Sequence, residues 1–390
     1  MRRPGAWITG TLLALGASLT AGPPTAAAAT VSADWPTFKG NNARLGQGPA
    51  LSLPVKQLWK VHLGGSLYSS PAIQDGLVLL GSSDKHLTAL DLSDGKTRWS
   101  KTLPDRIWGS APAIAGGLCY IGCVDGCVHA LALADGKEAG RWCGHPHGLM
   151  GKADVLSSPL VEGGRLVFGS DDGCIYGAEL AGTAVWKAAT GDIIHDNAAC
   201  AVSGTAFIPS QDGKLYALAL ADGARRWAWA APKPFNTVPS CANGLVYVGD
   251  GDSKVYALDA SDGKLRWSFA TGGRGIMASP SLGPDHSLVI GSTDHFVYCL
   301  DAESGALRWK AKTGDVVLAS ALITGSLVWL GSFDEKFRAL DLKTGEERWS
   351  TELEGGVFTS AAASGDKIVV AGRGGDVICL QATAAPAVQP

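Results

Sequence analysis

The sequence predicts an all-β chain folded as an eight-bladed β-propeller of four-stranded antiparallel blades, and three observations carry that expectation. A cassette recurs: Val255-Tyr-Ala-Leu-Asp-Ala-Ser-Asp-Gly-Lys-Leu-Arg-Trp267 has close copies at 87–99 and 337–349, and an internal repeat outranks other sequence signals. Its tryptophans Trp59, Trp99, Trp142, Trp186, Trp227, Trp267, Trp309 and Trp349 follow one another at intervals of 40, 43, 44, 41, 40, 42 and 40 residues, the length of one blade. The apolar runs 77–80, 118–121, 245–248 and 327–330 do not alternate, so both faces of these strands must be covered, as between neighbouring blades.

Taken in order, the chain opens with Met1-Arg-Arg, an apolar run over 7–19 and the small residues Ala26 to Ala29. This reads as an export signal over 1–29. The run is shorter than the roughly 20 residues that cross a bilayer, so no membrane span is expected after cleavage. No cysteine precedes Cys119, which gives no site for a lipid anchor. Residues 30–56, with Asp34-Trp-Pro-Thr-Phe-Lys-Gly-Asn-Asn-Ala-Arg-Leu-Gly46, are too short and polar to fold alone. They read as an irregular arm whose Trp35 and Phe38 are covered by the main body.

The propeller is placed at 57–383. Each unit pairs an apolar hairpin such as 72–81 with a cassette hairpin closed by Asp-Gly, and serines such as Ser69, Ser70, Ser157, Ser158 and Ser279 suit innermost strands crowded at the axis. Seven units carry all four strands, 357–382 supplies three, and Gln57-Leu-Trp-Lys-Val61 supplies the missing one. The N-terminal strand therefore closes the ring and removes its open edges. Residues 384–390 are left as a disordered tail. A monomer is expected. With 33 basic against 36 acidic residues, no field steers nucleic acid or an anionic membrane toward the chain.

The cassette A-L-D-x-x-D/T-G-K/E-x-x-W resembles the PQQ-type repeat of quinoprotein dehydrogenases and BamB-like propellers, from residue 57 to about 383. The resemblance implies that each cassette tryptophan docks on the adjacent blade. The arm also looks like the segment that precedes such propellers in secreted bacterial proteins. Blade three departs, being a residue short, with Gly182-Thr183 in place of Asp-Gly-Lys. The family's dehydrogenases add long insertions, a calcium or lanthanide, a catalytic Asp and often two adjacent cysteines. None of the nine cysteines here adjoins another, and eight blades leave no room for such insertions, so no catalytic residue, metal or cofactor is assigned. Scaffold alone does not imply chemistry.

Four features of the sequence are candidate sites. Asp84, Asp125, Asp172, Asp212, Asp252, Asp294 and Asp334 occupy one turn position, where an aspartate is explained by bonding its own backbone. Cys123 and Cys127 flank a turn and should face each other across it, while Cys299 and Cys379 replace the cassette alanine as small buried residues. His145 and His147 lie in the longest inter-blade loop and read as a rim. Aligning first strands on Ser-Pro places Tyr68, Trp108, Met277 and Phe358 at one level around the axis, with His195-Asp196-Asn197 and Asn236 as its polar sector. An apolar mouth with convergent polar groups is the usual form of a binding site.

The function expected is therefore that of an exported, non-catalytic propeller, periplasmic or extracellular, that binds another envelope or extracellular protein or a small ligand. One alternative is a small dehydrogenase holding PQQ and calcium at the same mouth through His195, Asp196 and Asn236. The second is an extracellular sensing module.

Overall fold

The computed structural model describes residues 34–144, 153–180, 184–195 and 198–383. The export signal, the tail at 384–390, His145, His147, Asp196, Asn197 and the Gly182-Thr183 turn lie outside them.

Eight sheets follow one another along the described chain, each of four antiparallel strands, and the short arm strand Gln47–Gly48 adds parallel to the innermost strand of the seventh. The first blade comprises Ala72–Gln74, Leu77–Gly81, His86–Asp91 and Thr97–Thr102. The innermost strands of the next seven are Ala113–Ala115, Leu160–Glu162, Cys200–Val202, Ser240–Ala242, Ser281–Leu282, Leu322–Thr324 and Ala362–Ser364. In the eighth, Val55–His62 pairs antiparallel with Asp376–Ala382, so the N-terminal strand closes the ring as expected, beginning two residues earlier than the sequence suggested. Lys60 Nζ and His62 Nδ1 stand 2.7 and 3.0 Å from the Asp376 carboxylate across this seam.

The non-alternating strands are buried on both faces because apolar clusters form between blades. One joins Leu79, Leu87 and Ala89 of blade one to Ile107, Ile114, Ile121 and Leu131 of blade two. At the axis, backbone N–H groups donate to the next blade's serine: Val238 to Ser279 Oγ, Ser279 to Ser320 Oγ, Ser320 to Ser360 Oγ and Ser360 to Ser70 Oγ, at 2.9–3.0 Å. The last of these spans the closure.

The cassette tryptophans dock as the resemblance implies. Trp59, Trp99, Trp186, Trp227, Trp267 and Trp309 donate their indole N–H to the carbonyls of Leu92, Leu133, Leu220, Ala260, Ala302 and Leu342 of the following blade. Each ring lies against that blade's turn glycine, Gly95, Gly136, Gly223, Gly263, Gly305 and Gly345 respectively. These glycines have positive φ and no room for a β-carbon, so the Asp-Gly of the cassette is required twice over.

Two tryptophans depart. In blade two, Gly140 takes the place opposite Ala130 that Trp99 takes opposite Ala89, and Trp142 comes two residues later opposite Val128. Its ring still reaches the usual position, 5.8 Å from Tyr120, but the displaced Nε1 is buried without a hydrogen-bond partner among the described residues. Trp349 faces blade eight, whose outer strand comes from the N-terminus and brings no turn glycine. It is half-buried, 5.8 Å from Trp329. In blade three the residue opposite Trp186 is Gly177, where a β-carbon would fall 2.0 Å from the indole.

The expected facing of Cys123 and Cys127 across their turn is seen, and the disulfides lie elsewhere. Cys123 does oppose Cys127 in register, but the disulfide joins Cys127 to Cys143 on the next strand, and a second joins Cys200 to Cys241 between blades four and five. Cys299 and Cys379 are free and buried, opposite Trp309 and Trp59.

Candidate functional site

The arm, expected to lie on the main body, runs around the axial edges of the innermost strands. Backbone N–H groups of Ile73, Ile114, Ala201, Cys241, Leu282 and Ile323 donate to the carbonyls of Trp35, Pro36, Asn42, Ala43, Leu45 and Gly46 at 2.7–2.9 Å. Asn42 Nδ2 reaches Val161 O in blade three and Asp34 accepts from Ser364 in blade eight, so all eight blades are touched. Trp35 is buried against Gly40, whose φ is +84° and whose β-carbon would lie 2.8 Å from the indole. This accounts for the spacing of tryptophan and glycine in the arm.

Two fully buried cations pin the arm. Arg44 donates Nε to Ala199 O at 3.0 Å, one terminal nitrogen to Thr37 Oγ1 and Phe38 O at 2.5 and 2.8 Å, and the other to Pro159 O at 3.2 Å. Lys39 donates to Ser240 Oγ at 2.9 Å and to Pro280 O. Burial pushes Arg44 down to about 9. Burial, then the charge of Arg44, pushes Lys39 well below the ordinary lysine range.

Above the arm lies a cavity of about 90 Å³ on the axis, lined by Phe38, Tyr68, Asn236, Met277, Phe358 and the axial serines. Four of the residues expected at the mouth thus converge, with Phe38 as their floor. Trp108 joins them by stacking on Tyr68, ring centroids 4.2 Å apart. Tyr68 meets Phe358 edge-on at 5.4 Å, and Phe358 meets Phe333 at 6.5 Å. Arg106 stands over Trp108 and Arg373 over Phe333, both at 5.7 Å from the ring centre, within cation–π range. The result is an aromatic crescent across blades seven, eight, one and two, flanked by two guanidinium groups. Phe333, Arg106 and Arg373 were missed because they lie on turns and loops outside the aligned level.

His195 does not line the cavity. Its Nδ1 is 3.2 Å from Asp171 Oδ2 at the rim. The level assigned from Ser-Pro slips by one in blades two and four. There Ile107 and Ile194, buried against Gly81 and Gly169, take the place filled elsewhere by Leu67, Val155 and Ile276. Trp108 and His195 are the next residues outward, and Gly109 (φ +74°) absorbs the extra residue in blade two.

The turn aspartates bond locally, as expected. Backbone N–H groups of Cys127, Cys174, Lys214, Phe296 and Lys336 donate to Asp125, Asp172, Asp212, Asp294 and Asp334 at 2.9–3.2 Å. In blade five Asp250 takes this role in place of Asp252. The remaining carboxylate oxygen is taken by the side chain four residues on: Tyr216 OH donates to Asp212 at 2.6 Å and Arg338 bonds Asp334. Burial works against the Asp334 charge, yet Arg338 and Ser332 hold that carboxyl at about 2.

Among the described residues, those lining the axis do not fit a quinone cofactor with calcium. Ligand pockets usually enclose about 300–1,000 Å³, whereas this cavity holds about 90 Å³, and its described walls are serine hydroxyls, aromatic and aliphatic side chains and the amide of Asn236.

A sequence-family profile described as outer membrane protein assembly factor BamB matches residues 54–173, 149–237, 178–285 and 271–385. No curated protein matches the chain. BamB from Moraxella catarrhalis superposes with a TM-score of 0.71 at 17% identity, over 86% of this chain and 99% of that one. The quinohemoprotein alcohol dehydrogenase from Comamonas testosteroni superposes at 0.80 with 13% identity, over 93% and 82%. The computationally designed Ika8 protein does so at 0.73 with 16% identity, over 84% and 99%. Similarity to both an assembly factor and a dehydrogenase at such identities speaks for the fold alone.

Proposed function

Because the chain belongs to the PQQ-repeat propeller family described as outer membrane protein assembly factor BamB, we propose that it is an exported, non-catalytic propeller that binds another envelope or extracellular protein through its mouth. The observation that carries this reading is the arm. Its Phe38 lines the axial cavity, which at about 90 Å³ is a small recess edged by Tyr68 and Phe358 in place of a pocket of ligand size. Aromatic and arginine side chains are the groups enriched at protein interfaces. Trp108, Tyr68 and Phe358 form the apolar centre, Met277 is exposed beside them, and Arg106, Arg373 and His195 give a polar rim. The two disulfides suit an oxidising compartment.

The test is capture from envelope extract followed by calorimetry of the captured protein against wild type, the Tyr68→Ala, Phe358→Ala pair and the His195→Ala variant. Lys96→Ala, Lys264→Ala, on exposed outer turns, is the control. The aromatic pair is expected to weaken binding at least tenfold and the control to leave it unchanged. Full affinity in the aromatic pair with loss in the control would move the site to the outer rim.

A further inference from the structure

The repeat supplies its own reference for an unusual cluster in blade two. Two residues before the turn aspartate, or before Gly374 that replaces it in blade eight, the blades carry Ser82, Cys123, Ser170, Ser210, Asp250, Ser292, Ser332 and Gly372. Four residues after it they carry Thr88, His129, Tyr176, Tyr216, Tyr256, Tyr298, Arg338 and Ile378. Blade two alone has cysteine in the first place and histidine in the second, and it keeps Asp125 between them. Both exchanges replace a hydrogen-bonding hydroxyl by a metal-ligating atom.

The geometry brings those atoms together. Cys123 Sγ, the Asp125 carboxylate and a ring nitrogen of His129 all lie within 4.8 Å of one another. His129 Nε2 is 2.8 Å from Asp125 Oδ2, while its Nδ1 is 3.2 Å from Glu138 Oε1 on the neighbouring strand. A carboxylate behind a histidine is the arrangement that orients a metal-bound imidazole and raises its basicity. Donors bound at about 2.0–2.3 Å in a tetrahedron lie roughly 3.3–3.8 Å apart, so the pair at 2.8 Å must part by only about half an ångström.

We infer that Cys123, Asp125 and His129 form a divalent-metal site, with Glu138 as the positioning residue behind His129. One sulfur, one imidazole nitrogen and one carboxylate oxygen suit Zn²⁺, which accepts all three and leaves a fourth position for solvent. The site opens on the Asp125 side, where the side chain is 16% exposed against 1% for His129. Binding displaces the Cys123 thiol proton to solvent, and the resulting thiolate and carboxylate neutralise the cation in this buried place.

The test uses Co²⁺ as a spectroscopic probe on the full disulfide-bonded protein, with Zn²⁺ as competitor. The expected result is one equivalent bound, with a thiolate-to-cobalt charge-transfer band that Zn²⁺ abolishes and a melting temperature that Zn²⁺ raises. The Cys123→Ser, His129→Tyr double variant restores the serine and tyrosine of blades three, four and six, so it should fold and lose both signals. Glu138→Gln should weaken binding about 10–100-fold with the band intact. A histidine-loop control, His145→Ala, His147→Ala, should leave the band in place. Absence of the band in wild type, its persistence in the double variant, or its loss in the loop control alone would each overturn the assignment.

Discussion

The indole of Trp267 lies flat on Gly305 of the next blade, where a β-carbon would come within 2.6 Å of Cδ2, and its Nε1 donates to Ala302 O at 3.0 Å. This contact, repeated from blade to blade, couples neighbours that share no backbone hydrogen-bond ladder. Gly305 also has φ +73°, whereas Gly76, at φ +74°, has nothing within 4 Å of the same position. Gly76→Ala should therefore cost only the left-handed strain of about 1–2 kcal/mol. Gly305→Ala should cost about 1–3 kcal/mol more from overpacking, and urea denaturation of the two variants measures the difference.

Trp142 and Trp267 fill equivalent space with different polar outcomes. Trp267→Phe loses a hydrogen bond of about 1 kcal/mol and leaves a carbonyl without its donor. Trp142→Phe removes an Nε1–H that has no partner among the described residues, so it should be the milder change. Equal losses of stability would show that the two-residue displacement of Trp142 has no polar consequence.

The closing seam should respond to acid. Burial opposes the Asp376 charge, but hydrogen bonds from Lys60 and His62 outweigh it and hold the carboxyl below its usual range. An aspartate in the unfolded chain titrates near 3.9. Its contribution is therefore complete above about pH 4 and is lost as pH falls through the lower folded value. Asp376→Asn should weaken the protein at pH 7 and approach wild-type stability at the acid end, as read by denaturation midpoints.

How far the sequence alone reached can be judged from the same elements. The ring, its blade count and its closure by Trp59's strand were legible because the cassette repeats a two-strand hairpin with a fixed turn. The arm's path was not. Nothing local in Lys39 or Arg44 says that a charged side chain will be buried against carbonyls of residues more than a hundred positions away. The mouth was half legible: Tyr68, Asn236, Met277 and Phe358 sit where first strands begin. The one-residue slip at Ile107 and Ile194 was hidden because Ser-Pro is a weaker register mark than the glycine that seats the buried residue. The Cys123, Asp125, His129 cluster was readable by aligning the blades at their turns, once each aspartate was compared with its neighbours as well as with its own backbone.

Lys39 gives the arm an alkaline signature. Its proton is lost at lower pH in the folded state than in the open chain, where lysine titrates near 10.4, because burial and Arg44 disfavour the charge. The unfolded state then binds more protons, so stability should rise with pH from the folded value toward about 10. Lys39→Met should flatten that rise. A wild-type profile that falls throughout this range would contradict the burial of a charged Lys39.

The proposed non-catalytic, protein-binding mouth is tested most directly by calorimetric titration with PQQ in the presence of Ca²⁺, with dye-linked alcohol oxidation followed on the same samples. The predicted result is no saturable heat and no turnover. Saturable binding with alcohol oxidation, both lost in the Tyr68→Ala, Phe358→Ala variant, would contradict it.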